Sequence, residues 1–110
     1  MARFVKGDVV VVPFPFSDLT QSKRRPALVL ANLDGDDVIL CQITSQSIRD
    51  RYAVAIDNSD FESGSLKQRS NIRPNRLFTA DSGIILYRVG RLSTDQFDIA
   101  IDAIVAILKT

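Results

Sequence analysis

Short apolar runs, each bounded by turn-forming or charged residues, recur along most of this chain and constrain its fold more than any other feature. Val9–Val12 is an unbroken β-branched run, which is typical of a strand buried on both faces. Pro13 and Pro15 follow. Because proline cannot donate to a strand ladder, we expect the strand to end there or to reach an edge or bulge.

Similar runs predict six or seven short strands in all. The other predicted strands are Ala27–Leu30, Val38–Ile43, Tyr52–Ile56, Asn71–Arg73, Leu77–Thr79 and Ile84–Tyr87. Asp34-Gly35 between two apolar runs predicts a hairpin turn. Ser17–Arg25 and Asn58–Gln68 are predicted to be polar loops, and Pro74 is expected to break the strand that begins at Asn71.

Only the C-terminal segment has helical spacing. Ser93 and Gln96 have the spacing of a capping box, in which each side chain can bond the other's backbone N–H. Phe97, Ile101, Ile104 and Leu108 recur on one helix face. This stripe is expected to enter the core, while Ala100, Val105 and Ile107 widen it toward a possible second subunit. Together the elements predict one domain, residues 1–110, built as a small β-barrel or folded sheet with a terminal helix.

Composition excludes several kinds of site. The chain has no histidine, which excludes a Ser-His-Asp or Cys-His triad and a histidine base. Cys41 is the only cysteine, so an internal disulfide is impossible, a zinc site is disfavoured, and an apolar filling role is expected. No apolar run approaches the ~20 residues of a membrane span. The segment Met1–Asp8 lacks a signal-peptide pattern, so we expect a cytoplasmic protein.

The positive charges are clustered although the net charge is only +1. Nine of the 14 Lys and Arg residues fall in three stretches that only Asp50 interrupts with a negative charge: Lys23-Arg24-Arg25, Arg49 with Arg51, and Lys67-Arg69-Arg73-Arg76. Such stretches are either solvated loops or parts of a nucleic-acid surface.

Three segments combine reactive groups with predicted strands. Pro26 favours an extended backbone at Arg25, whose guanidinium can then grip phosphate oxygens from a defined place. Gln42–Gln46 carries hydroxyls and amides that can contact bases or phosphate, although a Thr-Ser pair also commonly just ends a strand. Ser70–Leu77 places arginines beside a serine and an asparagine, which out of context are ordinary surface residues.

These segments, in their order and spacing, resemble the MazF/PemK toxin family. The resemblance rests on an ordered set of short motifs over nearly the whole chain: Gly7–Val10, Lys23–Leu30, Ile43–Gln46, Ile72-Arg73 with Arg76-Leu77, and Ile85–Leu92 before the helix. It implies a mainly β, SH3-like barrel of the MazF/PemK/CcdB type with a C-terminal α-helix. It also implies a homodimeric type II toxin that cleaves single-stranded messenger RNA without metal or cofactor. A cognate antitoxin would cover the RNA groove, DNA would be contacted only through the antitoxin, and no membrane would be involved.

The resemblance also assigns site residues. Arg25 and Thr44 would act on the scissile phosphate, and Arg73 would be a second catalytic arginine. The residues expected to contact RNA are Lys23, Arg24, Ser45, Gln46, Ser70, Asn71 and Arg76. Some relatives have a histidine in the first loop or an aspartate two residues after the second arginine. This chain has no histidine and has Asn75 there, so the general base is unidentified.

The expected chemistry is attack by the RNA 2′-hydroxyl, giving 2′,3′-cyclic phosphate (or 3′-phosphate) and 5′-hydroxyl ends. Arg25 would stabilise the charge that develops on phosphorus. Two alternatives stay open: a non-enzymatic toxin of the gyrase-poisoning kind, and an RNA-binding member with weakened catalysis. The RNA sequence preference is expected to depend on Ser17–Arg25 and Asn58–Gln68.

Overall fold

The computed structural model describes residues 4–15, 22–46 and 50–110. The strands are β1 (Asp8–Pro15), β2 (Ser22–Asn32), β3 (Asp37–Thr44), β4 (Val54–Ile56), β5 (Phe61–Gly64), β6 (Ser70–Asp81) and β7 (Tyr87–Leu92), followed by helix α1 (Thr94–Lys109). Short 3-10 helices span Asn58–Asp60 and Ser82–Ile84. The prediction of a mainly β fold with a terminal helix is confirmed.

One antiparallel sheet contains all seven strands, in the order β4-β6-β3-β2-β1-β7-β5. Its inner core consists of Val9, Leu28, Cys41, Ile43, Ile56, Ile72, Leu92 and Ala100. Ile56 on one edge strand and Phe61 on the other pack against this same cluster, so the sheet curls into a half-barrel around it. Ala100 of α1 enters the cluster and covers the open side.

A second core lies on the outer face of the sheet. It contains Val10, Val12, Ala27, Val29, Val38, Leu40 and Ile85, with Phe4 and Phe78 packed against it. Because neighbouring residues of β1 enter opposite cores, Val9–Val12 is buried on both faces, as predicted. Cys41 is also fully buried, which confirms its apolar filling role.

The turn at Asp34-Gly35 joins β2 and β3 as the predicted hairpin. Gly35 has φ of +75°, a conformation that glycine adopts without a steric penalty. β1 continues through Pro13 and Pro15, whose partners are Arg24 and Ser22 of β2. The register of β1 with β7 covers only Asp8–Val11, so on that edge the prolines lie beyond any strand of the described part of the chain, in agreement with the predicted edge position.

The prediction that Pro74 breaks a strand was wrong. The register between β3 and β6 passes from Cys41↔Leu77 to Ile43↔Ile72, so β6 carries extra residues at 73–76. Pro74 is buried in this bulge, where the ladder does not require its missing N–H. Asn71–Arg73 and Leu77–Thr79 therefore belong to one strand.

Four other boundaries also differ from the predictions. Ser22–Arg25 belongs to β2 and is not a loop. Residues 17–21 of that predicted loop lie outside the described residues, and so does Arg49 of the second basic stretch. Asn58–Gln68 contains a 3-10 helix and β5. Ile84 ends a 3-10 helix, so the last strand begins only at Tyr87. Tyr52 precedes β4.

Helix α1 begins at its predicted cap. Ser93 Oγ accepts a hydrogen bond from the N–H of Gln96 at 3.2 Å. The predicted reciprocal bond, from the Ser93 N–H to the Gln96 side chain, was wrong. The Gln96 side-chain amide donates to the Ala55 carbonyl, and the Ser93 N–H donates to the Asp60 carbonyl. These two bonds fix the start of α1 between the sheet edges. The predicted core stripe stops short of Leu108, which is 72% exposed. No helix in the described part of the chain has the length and apolarity of a membrane span.

Candidate nucleic-acid interface

Strand β2 places two arginines at one end of the sheet. Arg25 pairs with Val12, and Arg24 pairs with Pro13. Because side chains alternate along a strand, Arg25 lies on the face of the outer core, with Ala27, and Arg24 lies on the inner face. The extended backbone expected at Arg25 is confirmed by its place within β2.

A row of polar residues crosses the sheet at this end. Thr44 of β3 pairs with Asn71 of β6. Extending the β2–β3 register by two residues from the Ala27–Gln42 pair brings Arg25 level with Thr44. Arg25, Thr44 and Asn71 therefore occupy adjacent strands on one face, each about 5 Å from the next strand. We call them the polar row.

Residues after β3 hold this row in place. Thr44 is 6% exposed, and its Oγ1 accepts a hydrogen bond from the Gln46 N–H at 3.2 Å. The Gln46 carbonyl accepts one from Asn71 Nδ2 at 3.4 Å. A hydroxyl that accepts one bond still has its own O–H to donate, so Thr44 is oriented and can act as a donor.

A groove of about 430 Å³ opens at the same end of the sheet, mainly on the inner face, and is lined in part by Arg24, Arg25, Ser45 and Ser70. Ser65–Gln68 form one wall of it, and Tyr87, which is half exposed, also lines it. Arg24, Arg25 and Lys67 bring positive charge, and none of the described residues that line the groove is acidic. This charge balance suits a polyanion. A smaller cavity of about 300 Å³ shares Ser45 and Ser70 with the groove and adds Asn71.

Arg73 forms an ion pair with Asp50, which was not predicted as a site residue. Its Nη2 lies 3.5 Å from Asp50 Oδ2, and the two side chains are 19% and 12% exposed. Asp50 also accepts from the Tyr52 N–H at 2.8 Å and is bonded by the Asn75 side chain. The Tyr52 N–H and then Arg73 hold the pKa of Asp50 below its ordinary value. A signal was present, since Asp50 is the one acid within the basic stretches.

The structure thus brings together only part of the predicted site. Arg24, Arg25, Ser45 and Ser70 line the groove, and Thr44, Gln46 and Asn71 are joined to one another next to it. Lys23 and Arg76 are exposed and are not among the lining residues, and Arg73 is paired in the bulge of β6. Ser65, Gln68 and Tyr87 were not predicted. Within residues 4–15, 22–46 and 50–110, no three His, Cys, Asp or Glu side chains form a group that could hold a metal ion.

The curled sheet with its terminal helix is also the fold of several solved structures of toxins. The MazE–MazF complex from Deinococcus radiodurans matches with 17% identity and a TM-score of 0.77, covering 97% of each chain. An endoribonuclease in complex with its cognate antitoxin, from a mycobacterial species, matches with 14% identity and a TM-score of 0.76, over 96% of this chain and 95% of that one. The Mycobacterium tuberculosis toxin MazF-mt6 matches with 19% identity and a TM-score of 0.72, over 93% and 96%.

Residues 5–108 match the sequence model of PemK-like, MazF-like toxins of type II toxin–antitoxin systems. The chain belongs to this family. No curated protein sequence matches it significantly.

Proposed function

We propose that this protein is a toxin that cleaves single-stranded messenger RNA as a metal-independent endoribonuclease. The observation that carries the proposal is the polar row of Arg25, Thr44 and Asn71 at the same end of the sheet as a groove that, among the described residues, is lined by cations and by no acid. Family membership supports it, and solved structures of the same fold are described as endoribonucleases.

The row suits attack by a 2′-hydroxyl on the neighbouring phosphate. This reaction builds negative charge on a five-coordinate phosphorus, and a fixed cation that favours this charge over the ground state accelerates it. Arg25 stabilises the phosphorane and supplies a proton to the departing 5′-oxygen, while water takes the proton of the attacking 2′-hydroxyl and returns one to Arg25. Thr44 donates its O–H to a phosphate or 2′-oxygen. The products carry 2′,3′-cyclic phosphate (or 3′-phosphate) and 5′-hydroxyl ends.

Arg73 has a lesser part than the resemblance implies, because Asp50 compensates its charge. Asp50 is a poor general base, since an efficient base has a pKa near the working pH and that of Asp50 is lowered. We therefore assign the reaction mainly to Arg25 and Thr44, with the substrate's own geometry supplying the aligned nucleophile.

The proposal includes partners. A cognate antitoxin would cover the groove, and toxins of the same fold were solved in complex with theirs. Val105 and Leu108 are exposed apolar residues about one turn apart on the same side of α1, which supports a homodimer. DNA would be reached only through the antitoxin, and the toxin would act in the cytoplasm, where messenger RNA is translated.

The test incubates long single-stranded RNA with the protein in EDTA and maps the fragment ends. Arg25→Ala and Thr44→Ala are each expected to slow cutting by about 100-fold or more. Thr79→Ala is the matched control, because Thr79 is exposed on β6 opposite Ile39, toward the other end of the sheet. Discrete cuts with 5′-hydroxyl ends that are lost only in the first two variants support the proposal. Intact RNA at high protein concentration overturns it and favours gyrase poisoning or simple RNA binding.

A further inference from the structure

Tyr87 stands at the rim of the groove with its side chain largely open. Of its surface, 48% is exposed. It pairs with Val11 of β1, and Val11 pairs with Pro26 of β2. Cross-strand partners share a face, so these three residues form a platform in which Tyr87 lies beside Val11 and Pro26 lies one strand further on.

The wall opposite this platform is anchored at both ends. Gly64 has φ of +68°, and a Cβ there would strike the Val89 carbonyl, so glycine allows β5 to approach β7 closely. The Ser65 N–H then donates to the Val89 carbonyl at 3.3 Å. At the other end Ser70 Oγ donates to the Gln68 carbonyl at 3.1 Å, and Leu66 packs against the inner core. The wall is therefore preorganised.

We propose that the groove is a nucleobase subsite, in which one base of the RNA stacks on Tyr87 and turns its edge toward Gln68 and Ser65. The amide and the hydroxyl are exposed and offer both donors and acceptors, which a base edge needs for recognition. The subsite selects part of the RNA sequence at which the toxin cuts. This inference rests on the proposed function.

Charge and spacing favour RNA as the occupant. Two strand spacings, about 10 Å, separate the strand of Tyr87, β7, from β2, on which Arg24 shares the face of the platform. One nucleotide chain can therefore reach both the platform and Arg24. An aromatic platform between cations suits single-stranded nucleic acid, since every base has a face that can stack. An acidic peptide would use the cations but would gain little from the platform.

Binding of an RNA oligonucleotide that cannot be cut, because it carries 2′-O-methyl groups, separates recognition from cleavage. Tyr87→Ala is expected to weaken binding roughly 5- to 150-fold, whereas Tyr87→Phe keeps the stacking face and binds like the original protein. Tyr52→Ala is the matched control, because Tyr52 is the chain's other tyrosine, is 37% exposed and lines a separate cavity beside Arg51 and α1. It should leave binding unchanged.

An abasic scan then identifies the base. Removing one particular base should weaken binding to the original protein but not to Tyr87→Ala, and Gln68→Ala should relax the cut sequence at that same position. If the protein cuts RNA but Tyr87→Ala binds normally, or every abasic position weakens both proteins equally, the subsite is refuted and the proposed function stands. If the protein neither binds nor cuts RNA, the proposed function falls and the subsite falls with it.

Discussion

Replacing Asp50 by asparagine should make RNA binding more sensitive to salt. Asp50 lies 3.5 Å from Arg73, which is two residues along β6 from Asn71 of the polar row. Asparagine keeps the shape and the oxygen that accepts from the Tyr52 N–H, but it removes the negative charge. The substitution therefore adds one uncompensated positive charge, that of Arg73, next to the proposed phosphate site.

The magnitude follows from counterion release. Each phosphate neutralised on a single strand adds about 0.7 to the slope of log affinity against log salt concentration. One freed arginine should steepen the slope by about this amount. A fourfold rise in salt would then weaken binding by Asp50→Asn about 2.6-fold more than binding by the original protein.

Fluorescence anisotropy with an uncleavable single-stranded RNA measures the slope over a series of salt concentrations. Asp34→Asn is the control, because it makes the same charge change in the turn beyond Asn32 of β2. Arg25 and Asn32 are roughly 23 Å apart along that strand, beyond the ~10 Å screening length at 0.1 M salt. Equal slopes for Asp50→Asn and Asp34→Asn would refute the view that Asp50 compensates Arg73 when RNA is bound.

The pH dependence has a definite sign. The folded-state pKa of Asp50 is below the ordinary value of 3.8, so the pair is intact at neutral pH. Its contribution to stability, present above the ordinary pKa, is lost as the pH falls through the lowered one. The difference in the salt dependence of RNA binding between the original protein and Asp50→Asn should therefore persist near pH 7. It should vanish in acid, where Asp50 is protonated.

Three further predictions concern stability, each measured by denaturant or thermal unfolding. Burial raises the pKa of Cys41 to about 12 from 9.0, so the unfolded chain ionises first and stability should fall by roughly 1 kcal/mol at pH 10. An equal fall in Cys41→Ala would contradict this. Ser93→Ala removes the acceptor for the Gln96 N–H and should lower the free energy of unfolding by about 1 kcal/mol, or Tm by about 5 °C. An unchanged Tm would show that the cap does not contribute to stability. Gly64→Ala should destabilise more than Gly35→Ala, since both glycines have positive φ but only at Gly64 would the added Cβ strike backbone; equal losses would mean that the contact with Val89 is easily relieved.

Local patterns were sufficient where neighbouring residues decide the structure. The burial of Val9–Val12, the Asp34-Gly35 hairpin and the Ser93 cap all depend on short segments, and all three were predictable. Strand β6 was not, because its bulge exists only through its pairing with β3. A proline in a predicted strand usually indicates that the strand ends. Only the register with β3 shows that the ladder requires no N–H at Pro74.

The same distinction applies to the candidate site. Arg25 and Thr44 came from short motifs and family resemblance, and their roles stay a prediction. The pairing of Asp50 with Arg73 spans 23 residues of sequence, and Tyr87 and Gln68 line the same groove only because β7 lies beside β1 and β5. No periodicity within one segment indicates such contacts, so these features had to come from the structure.

The wall at Ser65–Gln68 is secured through its own backbone, by one N–H at Ser65 and one carbonyl at Gln68. Ser65, Lys67 and Gln68 are exposed, so their side chains can be exchanged with little loss of either anchor or of any strand. Leu66 alone is tied to the core. Substitutions at Ser65, Lys67 and Gln68 can therefore change the RNA sequence that is preferred during evolution. The strands that carry Arg25 and Thr44 need not change.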